Sequence, residues 1–149
     1  MDIELIEVFN NKLIEFAKDL IYIFPSVNDF HIFLTACEWS VCIDKYSPLS
    51  FFTCLVVEPF KEKIIKKDES FFLYESYDEY NEYMQHYGHD LNLVNKLKKI
   101  WQTLDEKNKE TIWKYMQVLL CLSLKCKSKT LDEINSNIFV ARPKNIKQV

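Results

Sequence analysis

The chain has 149 residues, of which 48% are hydrophobic, 15% aromatic and 28% charged, and its formal net charge is −3. This length suits one domain with a buried core, and the apolar content is too high for intrinsic disorder. Since Gly88 is the single glycine, phosphate-binding loops of the GxxxxGK[ST] and GxGxxG types are excluded and tight β-hairpins are disfavoured. We therefore predict an all-α fold, a single-domain irregular bundle of six or seven helices.

The first two predicted helices meet at a proline. Apolar residues at steps of three and four predict an amphipathic helix over 2–24, which Pro25 ends because a proline disfavours helical geometry in the residue before it. A second helix is predicted over roughly 27–44, with Ser26 or Asn28 as its cap. Because this helix is apolar over much of its circumference, we expect it at the centre of the fold.

Two further prolines organise the next stretch. The pair Ser47-Pro48 predicts an N-cap followed by proline in the first helical turn. The segment FFTCLVV that follows would also suit a buried strand, but no second convincing strand offers it a partner, so we prefer a helix. Pro59 either kinks this helix or begins a new one over 59–67.

The second half of the chain predicts three more helices and a tail. A helix over 76–86 would end at Gly88, and another over 91–104 would follow. The last strong helix is predicted over 105–126, with an inner face formed by Ile112, Tyr115, Met116, Leu119, Leu122 and Ser123. We divide the chain into a helical domain, 1–126, and an extended basic C-terminal tail, 127–149.

Charge is divided unevenly along the chain. Residues 1–90 carry seventeen Asp/Glu and seven Lys, whereas residues 91–149 carry five Asp/Glu and twelve Lys/Arg. Solvated helix faces and attraction between the halves would explain this, but a nucleic-acid surface is the alternative. A single arginine counts against specific base reading. The candidate nucleic-acid-binding residues are Lys96, Lys98, Lys99, Lys107, Lys109, Lys125, Lys127, Lys129, Arg142, Lys144 and Lys147.

The candidate metal ligands and nucleophiles form no convincing constellation. His86 and His89 are three residues apart, but Gly88 lies between them and is expected to break the helix. The five cysteines include no CxxC pair and are predicted to be reduced, buried thiols. A cysteine near His31 and the acids around Glu58 carry no catalytic signature. We predict no metal, no cofactor and no catalytic residue.

A tyrosine stripe is the most distinctive surface candidate. Within the acidic segment 71–87, tyrosines recur at steps of three and four, and tyrosine suits interfaces because it buries area while its hydroxyl stays wet. The alternative is that the stripe packs on the domain's own core. The candidate protein-interaction residues are Tyr74, Tyr77, Tyr80, Tyr83 and Tyr87.

Three sequence blocks carry a family resemblance: IYIFPSVNDFHIFLTA, VVEPFKEKIIKKDESFFL and ETIWKYMQVLLCLS. Together they resemble a type of small helical protein of giant nucleocytoplasmic large DNA viruses, over about residues 5–125. The resemblance implies no catalytic residues. It leads us to expect a non-enzymatic protein-interaction or virion-associated protein in the host cytoplasm or the virion. The short apolar runs separately predict no membrane insertion, and the unpaired cysteines predict a reducing compartment.

Overall fold

The computed structural model describes residues 3–73 and 98–141, with the backbone alone for 72–73 and 129–141. Within these ranges every regular element is helical, which confirms the all-α prediction. The predicted count of six or seven helices depends on residues 74–97, which lie outside the described residues. The tyrosine stripe and the helix stop at Gly88 lie in the same stretch.

The first helix, α1, runs over Ile3–Ile23 and confirms the first predicted element. One stripe of this helix is buried, and it consists of Ile6, Phe9, Asn10, Leu13, Phe16, Ala17 and Leu20. The stripe packs against both α2 and the last helix of the chain. α1 therefore lies between two other helices and supplies much of the core.

The second helix, α2, runs over Asn28–Ile43, but its predicted place at the centre of the fold is wrong. Its buried side chains are Phe30 and Cys37, whereas Trp39 and Ile43 are exposed. One apolar face of α2 packs on α1, and the opposite apolar face is turned outward. The predicted side-chain cap is also absent, because Val27 occupies the N-cap position.

The segment around Pro59 is helical, as predicted, but it is not a regular α-helix. α3, Ser47–Phe52, passes into a π-helical turn over Thr53–Val57, and α4, Glu58–Ile65, follows directly. In a regular α-helix each N–H bonds to the carbonyl four residues back, but Pro59 has no N–H and its ring would clash with that carbonyl. The helix is wider just before Pro59, where the Glu58 N–H bonds to the Thr53 carbonyl five residues back.

α4 ends in a turn that normally contains glycine. Lys67 has a φ of 52°, and the N–H groups of Lys67 and Asp68 bond to the carbonyls of Ile64 and Lys63. This is the Schellman pattern, with lysine at the left-handed position. The Asp68 carboxylate then accepts a hydrogen bond from the N–H of Ser70, the first residue of the short helix α5, Ser70–Leu73. This hydrogen bond lowers the pKa of Asp68.

The last described helix, α6, runs over Glu106–Ala141 and extends fifteen residues beyond its predicted end at 126. Asp105 begins it, because its carboxylate accepts the Asn108 N–H at 2.9 Å. The predicted extended tail is wrong for residues 127–141, whose backbone is helical. This stretch contains no glycine or proline that would interrupt the helix.

The core is built around aromatic contacts between α6 and the elements before it. Trp113 meets Trp101 edge to face, with ring centroids 5.6 Å apart, and lies 6.5 Å from Phe71 of α5. Phe71 in turn meets Phe60 of α4 at 4.9 Å. On the other side of α6, Tyr115 stacks on Phe16 of α1 at 4.9 Å. α6 therefore packs on two sides at once.

The five cysteines, all in described parts of the chain, form no disulfide, and two of them are buried. Burial raises the pKa of the Cys37 thiol to about 12, and the neighbouring Glu38 charge acts in the same direction. Cys126 is also buried, whereas the remaining three are exposed, contrary to the expectation of buried thiols: Cys42, Cys54 and Cys121.

Candidate interaction surface on the second helix

The outward face of α2 carries three large exposed apolar side chains, with the smaller polar Asn28 and Thr35 beside them. Trp39 is 64% exposed, Ile43 is 77% exposed and Ile32 is 47% exposed. Their spacings of seven and four residues place them on one side of the helix, opposite the buried Phe30 and Cys37. Large exposed apolar side chains that form a contiguous face indicate an interaction site more strongly than scattered ones do.

This face forms one wall of an open groove of about 750 Å³. Ser47 and Phe51 of α3 and Asp44 of the connecting turn also line the groove. The small side chains of Ala36 and Ser40 lie beside Trp39 in its lining. The groove is therefore formed by residues of two helices and the turn between them.

The groove is held by contacts on the far side of α2. Phe30 lies 5.5 Å from Phe24, ring centroid to ring centroid, at the junction of α1 and α2. The buried Asn10 of α1 donates from Nδ2 to the Lys45 carbonyl at 2.9 Å and so fixes the α2–α3 turn. The Asp44 carboxylate accepts the Tyr46 N–H at 3.0 Å in the same turn. The walls of the groove are therefore attached to the core.

The charged groups that border the groove are acidic. Asp44 lines it, and Asp29 and Glu38 lie on the two flanks of the apolar face, given a rotation of about 100° per residue along α2. The sequence of α2 contains no lysine or arginine. His31 lines the end near the start of α2, where its Nε2 lies 3.4 Å from the Pro25 carbonyl.

A second polar constellation joins α1 to α6. The Tyr115 hydroxyl donates to carboxylate oxygens of Asp19 and Glu15, the latter at 3.2 Å. Lys12 donates to Glu15 at 3.0 Å and lies 5.9 Å from the centroid of the Tyr115 ring. Burial and the adjacent carboxylates raise the pKa of Tyr115 above its ordinary value. The bond to Lys12, followed by the bond to Tyr115, lowers the pKa of Glu15.

This constellation is a clamp between helices, and the sequence gives no sign of it. About a hundred residues separate Tyr115 from the carboxylates that it contacts, and each carboxylate alone has the pattern of an ordinary solvated helix face. Tyr115 was predicted as part of the inner face of its helix, and its ring does stack on Phe16. The polar partners of its hydroxyl depend on how α1 packs, which periodicity does not fix.

The predicted lysines are placed in different surroundings. Lys107 and Lys125 are exposed, and eighteen residues, or five turns, place them on the same side of α6. Lys109 instead lies 3.2 Å from Glu69 and 5.5 Å from the centroid of the Trp101 ring. Lys98, Lys99 and Lys127 are also in described stretches, and the remaining candidates lie where side chains are not described: Lys96, Lys129, Arg142, Lys144 and Lys147.

Within residues 3–73 and 98–141, no group of three or more His, Cys, Asp and Glu side chains converges in a way that would hold a metal ion. His86 and His89 lie outside these ranges. Each helix in the described part of the chain is too short or too polar to span a bilayer.

Comparison of the chain with protein-family models, curated proteins and solved structures finds no match. The α2 groove is therefore the most distinctive feature of the described residues that bears on function.

Proposed function

We propose that the chain is a non-enzymatic protein-interaction module that binds a partner protein through the outward face of α2. The observation that carries the proposal is the exposure of Ile32, Trp39 and Ile43 on one side of α2, where all three line the groove. Tryptophan is among the residues most enriched where binding energy concentrates in protein interfaces. α2 has apolar side chains on two faces, and only one of these faces is covered by α1. The other face is therefore suited to contact with a partner.

Two sequence-based expectations extend this proposal. The tyrosine stripe 74–87 is a second candidate contact surface, supported by its composition and spacing. The three sequence blocks support a source in a large DNA virus, and hence a role in the host cytoplasm or the virion. Both expectations are independent of the groove.

Site-specific photo-crosslinking tests the proposal. A benzophenone amino acid in place of Trp39 is expected to yield a discrete crosslinked product in lysate of the native cell, because a partner that covers the groove lies within reach. The same reagent at Tyr22, which is 87% exposed on α1, is the matched control. Placed at Tyr80, it tests the tyrosine stripe separately.

Unlabelled wild-type protein should suppress the product formed at position 39, whereas unlabelled Trp39→Ala should not. Equal products at positions 39 and 22, or competition by both proteins alike, would count against α2 as the contact surface. Since Trp39 is largely exposed, circular dichroism should show an unchanged fold in the variant.

Nucleic-acid association is the second proposal, supported by the shared side of Lys107, Lys114 and Lys125 on α6, all three of which are exposed. Lysines that contact phosphates release counterions, so the affinity for a duplex oligonucleotide should fall steeply between 50 and 200 mM salt, by about a factor of ten or more. A triple replacement of these lysines by glutamine should flatten the salt dependence. Absence of binding at low salt would remove this alternative.

A further inference from the structure

We propose that the α2 groove binds an amphipathic helix of a partner protein, whose apolar stripe is bordered by lysine or arginine side chains. This inference rests on the proposed function and names the chemistry of the partner. It is carried by two features of the described residues, namely the shape of the apolar face and the sign of the charges around it.

The dimensions of the face suit a helix. Ile32 and Ile43 are eleven residues apart on α2, which corresponds to about 16 Å along the helix axis. Three turns of a partner helix cover this length and present apolar side chains at i, i+4 and i+7. Phe51 of α3, which also lines the groove, adds apolar surface outside α2 that a partner would contact.

The acidic side chains near the groove favour a partner helix with basic side chains beside its apolar stripe. Asp44 lines the groove, and Asp29 and Glu38 lie on the flanks of the α2 face, on a helix that contains no lysine or arginine. Basic side chains on the rims of a docked helix would meet these carboxylates, which raises the association rate and suppresses acidic competitors. A second copy docked through the same face would bring acid against acid. An anionic lipid surface would be repelled in the same way, because interfacial helices bind such surfaces through lysine and arginine.

Two designed peptides test the proposal directly. Both carry the same leucine stripe, one bordered by lysine and the other by glutamate, and each is titrated into the full chain by calorimetry at low salt. We expect the lysine-bordered helix to bind at least about tenfold more tightly, and a scrambled lysine peptide without the stripe to bind weakly.

The variants separate apolar from electrostatic contributions. Trp39→Ala should weaken the lysine-bordered peptide by about tenfold or more, whereas Tyr22→Ala should not change its affinity. Glu38→Gln should reduce the preference for lysine over glutamate several-fold. Glu7→Gln, which removes an exposed carboxylate from α1, is the matched control and should leave the preference intact.

Each contrary result has a defined meaning. Equal affinity for both peptides would overturn the basic partner while leaving α2 as an interaction face. No binding of either peptide, with the crosslink at position 39 retained, would overturn the helical partner alone. Trp39-dependent dimerisation in light scattering, or Trp39-dependent binding to phosphatidylserine vesicles, would replace the partner with a second copy or a membrane. Loss of both the crosslink and the peptide binding would overturn the proposed function as well.

Discussion

Replacing Trp113 by alanine is expected to lower the free energy of unfolding by about 3–5 kcal/mol, the usual cost of truncating a buried tryptophan. Trp113 is 3% exposed and contacts both Trp101 and Phe71. Removing the indole therefore opens a cavity where three elements meet: α6, α5 and the helical residues 98–101. Because the residues around this cavity belong to separate elements, they can move into it only partly. The loss of free energy of unfolding should therefore lie in the range observed for buried aromatic residues.

Urea denaturation followed by far-ultraviolet circular dichroism measures this loss without depending on tryptophan fluorescence. Trp39→Ala is the matched control, because it removes the same side chain from a position that is 64% exposed. Its effect should stay within about 0.5 kcal/mol. A loss at Trp113 no larger than the loss at Trp39 would mean that the contacts of α6 with α5 and Trp101 contribute little to the core.

The role of Trp113 marks a limit of periodicity as a guide to the core. The predicted inner face of the last helix is correct for Ile112, Met116, Leu119 and Ser123, which are all buried. It omits Cys126, which continues the same face, and it omits Trp113 and Leu120, which form a second buried row about 90° away. One stripe suffices for a helix with one neighbour, but α6 packs on α1 and on α4. The sequence of α6 alone does not reveal that it has neighbours on two sides.

The opposite error occurs at α2. An apolar circumference predicts burial on all sides, yet one apolar face packs on α1 and the other, with Trp39, faces outward. Nothing in the local pattern distinguishes a face covered by the domain itself from a face left for a partner. By contrast, α1 has a single stripe with polar residues opposite it, and its buried face and its end before Pro25 are both as predicted.

Local chemistry was more predictable than packing. Pro59 was correctly expected to disturb the helix, because its missing N–H is a property of the residue itself, and the form of the disturbance is the π-helical turn over Thr53–Val57. The groove and the clamp at Tyr115 were not predicted, since each joins residues from separate helices. The absence of lysine and arginine from α2 is visible in the sequence. It indicates an acidic border for the groove only once the structure shows which face of α2 is turned outward.

Replacing Tyr115 by phenylalanine is expected to destabilise the protein by about 1–2 kcal/mol at neutral pH. The substitution keeps the ring that stacks on Phe16 but removes the hydroxyl that donates to Asp19 and Glu15. Hydrogen bonds to charged acceptors are stronger than neutral ones, and Asp19 and Glu15 lose this donor in the variant. Urea denaturation at pH 7 measures the loss. Tyr22→Phe, at an exposed position of α1, should have little effect.

The deficit of the Tyr115→Phe variant should shrink as the pH rises above about 10, the ordinary pKa of tyrosine. The pKa of Tyr115 is raised in the folded protein by burial and by the adjacent carboxylates. The folded chain therefore keeps the proton at a pH where the unfolded chain loses it, so ionisation favours unfolding of the wild type by up to about 1.4 kcal/mol per pH unit. Phenylalanine cannot ionise, and Cys37 contributes equally to both proteins and cancels from the difference. A deficit that stays constant from pH 8 to 11 would show that Tyr115 ionises as readily in the folded as in the unfolded chain, and the clamp at its hydroxyl would then be too weak to join α1 to α6.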